Sequence, residues 1–174
     1  MKAYLIIVVF LFNLISLAQS KDSLSIALEK DIENTTIDSV KVNKILQLGE
    51  YHIDKDFTKA RALINEALTI LKKEDNRNNL SALANAYSLN GIILRRQGDY
   101  VKSLDYYYKS KTLYETLKDS INLSSLLHNI GMVHRFTKDY RKSIPYYKQS
   151  IAIKERLGNQ TYEIACGYNM LGVS

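Results

Sequence analysis

This chain of 174 residues is poor in the residues that punctuate and staple folds: one proline, seven glycines, one cysteine and no tryptophan. So few turn-forming residues cannot build the many tight corners of a β-sandwich or barrel. No glycine-rich phosphate loop occurs, which disfavours a dinucleotide-binding βαβ domain. Cys166 has no second cysteine in the chain, so no internal disulfide can form, and it reads as a small residue packed on a helix. The three histidines are His52, His128 and His134. The last two are six apart and fall on different helix faces, so an i,i+4 metal pair is missing. His-Glu-x-x-His, Cys-x-x-Cys and Gly-x-Ser-x-Gly are all absent. No carboxylate pair lies on an apolar stripe where its pKa could be tuned for acid–base work. These residues therefore predict no catalytic residue, no metal and no cofactor.

What is present fits a globular chain: 46% apolar and 24% charged residues, with thirteen tyrosines. The first twenty residues stand apart. Met1-Lys2 gives a short positive start, and Ala3 to Leu17 is apolar except for Asn13 and Ser16. Ser16-Leu17-Ala18 then matches the small-x-small rule for cleavage after Ala18. The apolar run is shorter than the ~20 residues a membrane span needs. Residues 1–18 thus read as a signal peptide, with a mature chain from Gln19 that is periplasmic or extracellular. An uncleaved anchor is the alternative, and membrane attachment is expected only through it or through a missing C-terminal part.

Charge is unevenly spread. Gln19–Asn79 has 10 basic and 11 acidic residues, whereas Leu80–Asn159 has 13 basic and 6 acidic, net +7. The basic residues are mostly lysines scattered over helix exteriors, and the tyrosines fall at core spacing rather than on a stacking platform, so nucleic acid is not the expected partner.

The second half repeats itself. Laying Leu80–Asp119 over Ser120–Asn159 without a gap gives twelve identities in forty positions, among them Gly91/Gly131, Arg95/Arg135, Asp99/Asp139, Ser103/Ser143, Tyr106/Tyr146 and Tyr107/Tyr147. Within each unit apolar residues recur at three- and four-residue steps, as in Leu83, Ala86, Tyr87, Gly91 and Leu94. Gly98-Asp99 breaks that pattern, and a second helix follows with Ser103, Leu104, Tyr107, Ser110 and Leu113 or Tyr114 inward. Gly91, Ser103, Gly131 and Ser143 fall where antiparallel helices must approach closely, and Tyr100 and Tyr107, with Tyr147 in the next unit, are expected to fill the space around them.

These residues resemble the tetratricopeptide repeat family, whose pattern runs Trp-x2-Leu-Gly-x2-Tyr, then Ala-x3-Phe, then Pro. Here it reads Tyr87-x2-Asn90-Gly91-x2-Leu94 with Ser103-x3-Tyr107, and Leu127-x2-Ile130-Gly131-x2-His134 with Ser143-x3-Tyr147. A third unit opens as Tyr168-x2-Leu171-Gly172, and a degenerate one shows as Tyr51, Asp56-Phe57, Ala60-x3-Ile64 and Ala67. The resemblance implies an all-α, right-handed α-solenoid of antiparallel helix pairs. The organisation is then a leading helix (22–33, with Leu24, Leu28 and Ile32 inward), a degenerate pair and polar linker up to 79, repeats at 80–119 and 120–159, and the first helix of an incomplete repeat at 160–174. Glu115 and Glu155 replace the helix-ending proline, so the second helices can run on. Pro145 lies inside its helix and should bend it locally. Because the last helix ends on residues that would receive another, Ser174 is not expected to be the natural end.

The family places its first helices on a concave binding side. The stripes there are Ser88-Ile92-Arg95 and His128-Met132-Arg135, with Asn169 in the third unit. The family's carboxylate-clamping lysine–asparagine pattern is absent. Arg95 and Arg135 form a basic ladder, expected to be exposed and to meet acidic or C-terminal groups of a peptide. The expected partner is thus a protein or peptide, in the manner of an interaction scaffold. The start at Asp22-Ser23-Leu24 and the Tyr-Tyr repeats also resemble the exported N-terminal region of Bacteroidetes-type sensor histidine kinases and helix-turn-helix regulators. That resemblance implies a sensing region of a membrane signalling protein as the alternative, with any kinase in a missing C-terminal part.

Overall fold

The computed structural model describes residues 23–36, 38–73, 79–158 and Gly172. The signal peptide, Gln19, residues 74–78 of the polar linker, Cys166 and Asn169 lie outside the described residues, as does nearly all of 160–174. Seven helices are described: α1 (23–34), α2 (Asp38–His52), α3 (Phe57–Lys73), α4 (Leu80–Arg96), α5 (Tyr100–Leu117), α6 (Ser120–Phe136) and α7 (Tyr140–Arg156). No strand occurs among the described residues.

Aspartates start most of these helices. The Asp99, Asp119 and Asp139 carboxylates accept the backbone N–H of Lys102, Asn122 and Lys142 at 3.2, 3.0 and 3.2 Å, and Asp56 accepts those of Thr58 and Lys59 at 3.0 Å. Each such bond satisfies an orphan donor of the first turn. The helices α4 to α7 end by turning left-handed, at Gly98 (φ 80°), Lys118 (φ 55°), Lys138 (φ 61°) and Gly158 (φ 74°). The next N–H then reaches back to the last turn, from Asp99 to the Leu94 carbonyl at 3.0 Å and from Asp139 to that of His134 at 2.8 Å. Left-handed stop and aspartate cap are adjacent residues, so the reversal takes three residues, 97–99 and 137–139. With no proline to stop it, α5 continues two residues past Glu115 before Lys118 turns the chain. α7 remains one helix through Pro145.

Consecutive helices pair as α2–α3, α4–α5 and α6–α7, and each pair packs on the next. First helices also touch across pairs, α2 on α4 and α4 on α6. One core gathers Val42, Ile45, Ile64, Leu71, Leu89 and Ile93; a second gathers Tyr107, Tyr114, Leu126, Ile130 and Val133. In the leading helix Leu28 is buried and Ile32 half-buried, but Leu24 is 54% exposed, contrary to its expected inward place. The reason is reach: α1 is fastened through its later half, by Lys59–Glu29 and Lys44–Asp31 ion pairs.

Candidate functional site

Inside each clean pair a tyrosine of the second helix lies against a glycine of the first. A Cβ on Gly91 would sit 2.4 Å from the Tyr107 ring, and one on Gly131 would sit 2.8 Å from the Tyr147 ring. Ser103 Oγ donates to the Gly91 carbonyl at 2.8 Å, whereas the buried Ser143 hydroxyl has no partner. The degenerate pair repeats the arrangement with Gly49 against Ile64 at 3.0 Å. Gly172, exposed, meets nothing within 4 Å.

Each ring therefore lies against its glycine, within electrostatic reach of the arginine four residues further along the first helix. Both rings are fully buried, yet neither Tyr107 nor Tyr147 has a hydrogen-bond partner for its hydroxyl. Burial pushes both phenols up, that of Tyr147 to about 12. The Arg95 charge acts against that rise at both, and that of Arg135 at Tyr147. The Arg95 guanidinium approaches the Tyr107 hydroxyl without meeting hydrogen-bond geometry, and its own Nε is buried and unpartnered. Buried polar atoms are rarely left so.

Arg95 and Arg135 are each half-buried, not the exposed ladder that spacing suggests. For Arg95 a neighbour explains the difference: its Cζ lies 6.0 Å from the Phe136 ring centroid, and Phe136 in turn stacks on Tyr100 at 6.0 Å. A residue at the end of one first helix is thus covered by the end of the next. Ser88 and Met132 are half-buried on the same stripe, and His128 packs its ring 5.3 Å from that of Tyr147. Ile92 is more than a groove wall, since it packs against both cores. Sequence reading assigned Tyr107 and Tyr147 to packing alone; the signal it passed over is the hydroxyl, because the family pattern has phenylalanine there. Among the described residues no three or more of His, Cys, Asp and Glu gather as metal ligands, and no helix is long and apolar enough to cross a membrane.

Residues 82–156, spanning α4 to α7, match the model of the tetratricopeptide repeat. The photosystem I assembly protein Ycf3 of Rippkaea orientalis is 30% identical over 126 residues, which are 72% of this chain and 67% of that protein. The chain belongs to the tetratricopeptide repeat family. Solved tetratricopeptide-like structures agree in fold. BtubC of P. vanneervenii superimposes with a TM-score of 0.69 at 22% identity, covering 89% of this chain and 63% of that one. Aspartyl phosphate phosphatase F of Bacillus subtilis gives 0.65 at 20% identity, covering 71% of this chain and 32% of its own. A signal transduction ATPase with a tetratricopeptide repeat sensor, from Pyrococcus horikoshii, gives 0.66 at 18% identity, covering 83% of this chain and 23% of its own. This tetratricopeptide repeat chain therefore spans less than two thirds of those solved chains. The all-α solenoid of antiparallel pairs is the fold they share.

Proposed function

We propose that this tetratricopeptide repeat protein is an exported scaffold, built in its clean part of 40-residue units, that binds a protein or peptide along its first-helix face without catalysis of its own. The observation that carries the reading is the first-helix stripe itself: Ser88, Arg95, Met132 and Arg135 are half-buried there, with the two arginines in equivalent places of successive repeats. A partner's carboxylates and carbonyls are the acceptors that guanidinium donors take. Arg95 and Arg135 favour acidic or C-terminal groups among those acceptors. The test is selection from a random peptide library on the folded protein, followed by binding of the selected peptide to the Arg95→Glu, Arg135→Glu double variant. Loss of binding with the helical circular dichroism kept supports the reading; retained binding removes this face from it.

Export belongs to the same proposal and rests on Met1-Lys2, the apolar run to Leu17 and the Ser16-Leu17-Ala18 site. Protein recovered from outside the cytoplasm should begin at or near Gln19; an intact Met1 in the membrane fraction supports an anchor instead. The Asp22-Ser23-Leu24 start and paired tyrosines favour a second reading, the sensing region of a membrane signalling protein such as a sensor histidine kinase or helix-turn-helix regulator. The coding DNA downstream of Ser174 tests it.

A further inference from the structure

The second helices leave a cleft on another side of the stack. α5 and α7 are tied by the hydroxyls of Tyr108 and Tyr146, 3.2 Å apart. Beside that tie lies a space of ≈ 390 Å³, at the small end for ligand clefts, lined by Lys111 of α5 and by Arg141, Lys142, Pro145, Tyr146 and Gln149 of α7. Three of these six are cations and none is an acid. Lys111 is paired with Glu115 at 2.6 Å and Lys142 with Asp139 at 3.0 Å, while exposed Arg141 has no ion pair among the described residues.

Comparison of α7 with α5 shows what is particular to this cleft. In the places of Arg141, Pro145 and Gln149, α5 carries Val101, Asp105 and Lys109, and its Lys109 is paired with Asp105 at 2.7 Å. α7 has therefore exchanged an apolar residue for a guanidinium and dropped the carboxylate. Pro145 adds a second change. It has no N–H, so the carbonyl of Arg141, one turn earlier on the same face, lacks its usual helical donor. Around Lys102 and Tyr106, the counterparts of Lys142 and Tyr146, the space is smaller, ≈ 260 Å³, and is lined by α3 and α4, where Arg61 is already bonded to Gln97. The cleft also lies at the start of α7, where the helix dipole favours negative charge, in a half of the chain with 13 basic and 6 acidic residues.

We propose that the α5–α7 cleft binds an acidic segment of a partner polypeptide. A glutamate or aspartate carboxylate meets Arg141, with Lys111 and Lys142 beside it; its aliphatic stem lies on the Pro145–Tyr146 wall, and a peptide N–H donates to the Arg141 carbonyl. This site is separate from the first-helix face and does not depend on it.

Fluorescence anisotropy tests this with a labelled Glu-Ala repeat peptide, a Gln-Ala peptide of the same length and phosphatidylglycerol vesicles. The Glu-Ala peptide should bind, the Gln-Ala peptide should not, and Arg141→Gln or Lys111→Gln should weaken binding about fivefold or more, as loss of a charge-assisted contact does. The charge-matched Lys148→Gln, on α7 outside the lining, should stay within about twofold, as expected of a screened surface charge. The Arg95→Glu, Arg135→Glu variant should retain the site. Equal losses in Arg141→Gln and Lys148→Gln overturn the proposal, as does binding of vesicles but not peptide, or no binding at all. Loss only in the Arg95, Arg135 variant also overturns it, by moving the peptide to the other face.

Discussion

A methyl group on Gly91 has nowhere to go, because the Tyr107 ring that it meets at 2.4 Å is itself fully buried. Alanine gains up to about 1 kcal/mol of helix propensity, but overpacking of this kind costs about 1–3 kcal/mol. Gly91→Ala should therefore lower the denaturation midpoint, Gly131→Ala less so at 2.8 Å, and Gly49→Ala least at 3.0 Å. The serines divide in the same way. Ser103→Ala removes the bond to the Gly91 carbonyl and should cost about 1 kcal/mol, while Ser143→Ala, which removes an unpartnered buried hydroxyl, should be neutral or stabilising. Equal effects in urea melts would contradict this. Residue spacing makes the glycine–serine–tyrosine register legible, because small residues recur in both units. Half-burial of Arg95 is not legible: Phe136, which covers it, is forty-one positions away in the chain and belongs to another helix.

At the scale of elements, the turns were readable as breaks but not as devices. Gly98-Asp99 marks a stop in the periodicity; that the aspartate is also a cap, and that Lys118 and Lys138 perform the same left-handed turn as Gly98 and Gly158, depends on backbone angles. A lysine held left-handed is strained on the order of 1 kcal/mol, a strain glycine lacks. Lys138→Gly should thus raise the melting temperature, and Asp139→Ala beside it should lower it through the lost cap. Hydrogen bonds from Lys102 and Lys142 hold Asp99 and Asp139 below the usual carboxylate range. Those caps persist in mild acid and fail only as the pH falls through their lowered pKa values.

Over the whole molecule a different pair of groups responds to milder acid. Burial holds His52 and His134 below the usual imidazole range; the buried His134 stacks on Tyr146 at 5.5 Å, its Nε2 unpartnered. In the unfolded chain each takes a proton near pH 6.5, whereas in the fold each takes it only lower. The unfolded state then binds more protons, so stability declines from about pH 6.5 down to the folded pKa and levels off beneath it. His134→Leu, which places there what Leu94 supplies in the preceding unit, should flatten that slope in melts from neutral pH to pH 5.

Ile92 has the further consequence. Lying between the core around Ile45 and Ile64 and the core around Tyr107, it belongs to neither repeat alone. In a linear array each unit's survival depends on its own free energy and on coupling to its neighbour. A side chain shared across the junction contributes mainly to the coupling. Ile92→Ala should consequently change the kind of unfolding as well as its midpoint. The single sigmoid of a cooperative stack should broaden or split, and amide exchange in α2–α3 should separate from that in α6–α7. A partner spanning both units would then feel the loss as well, because two segments that open independently seldom present one continuous surface.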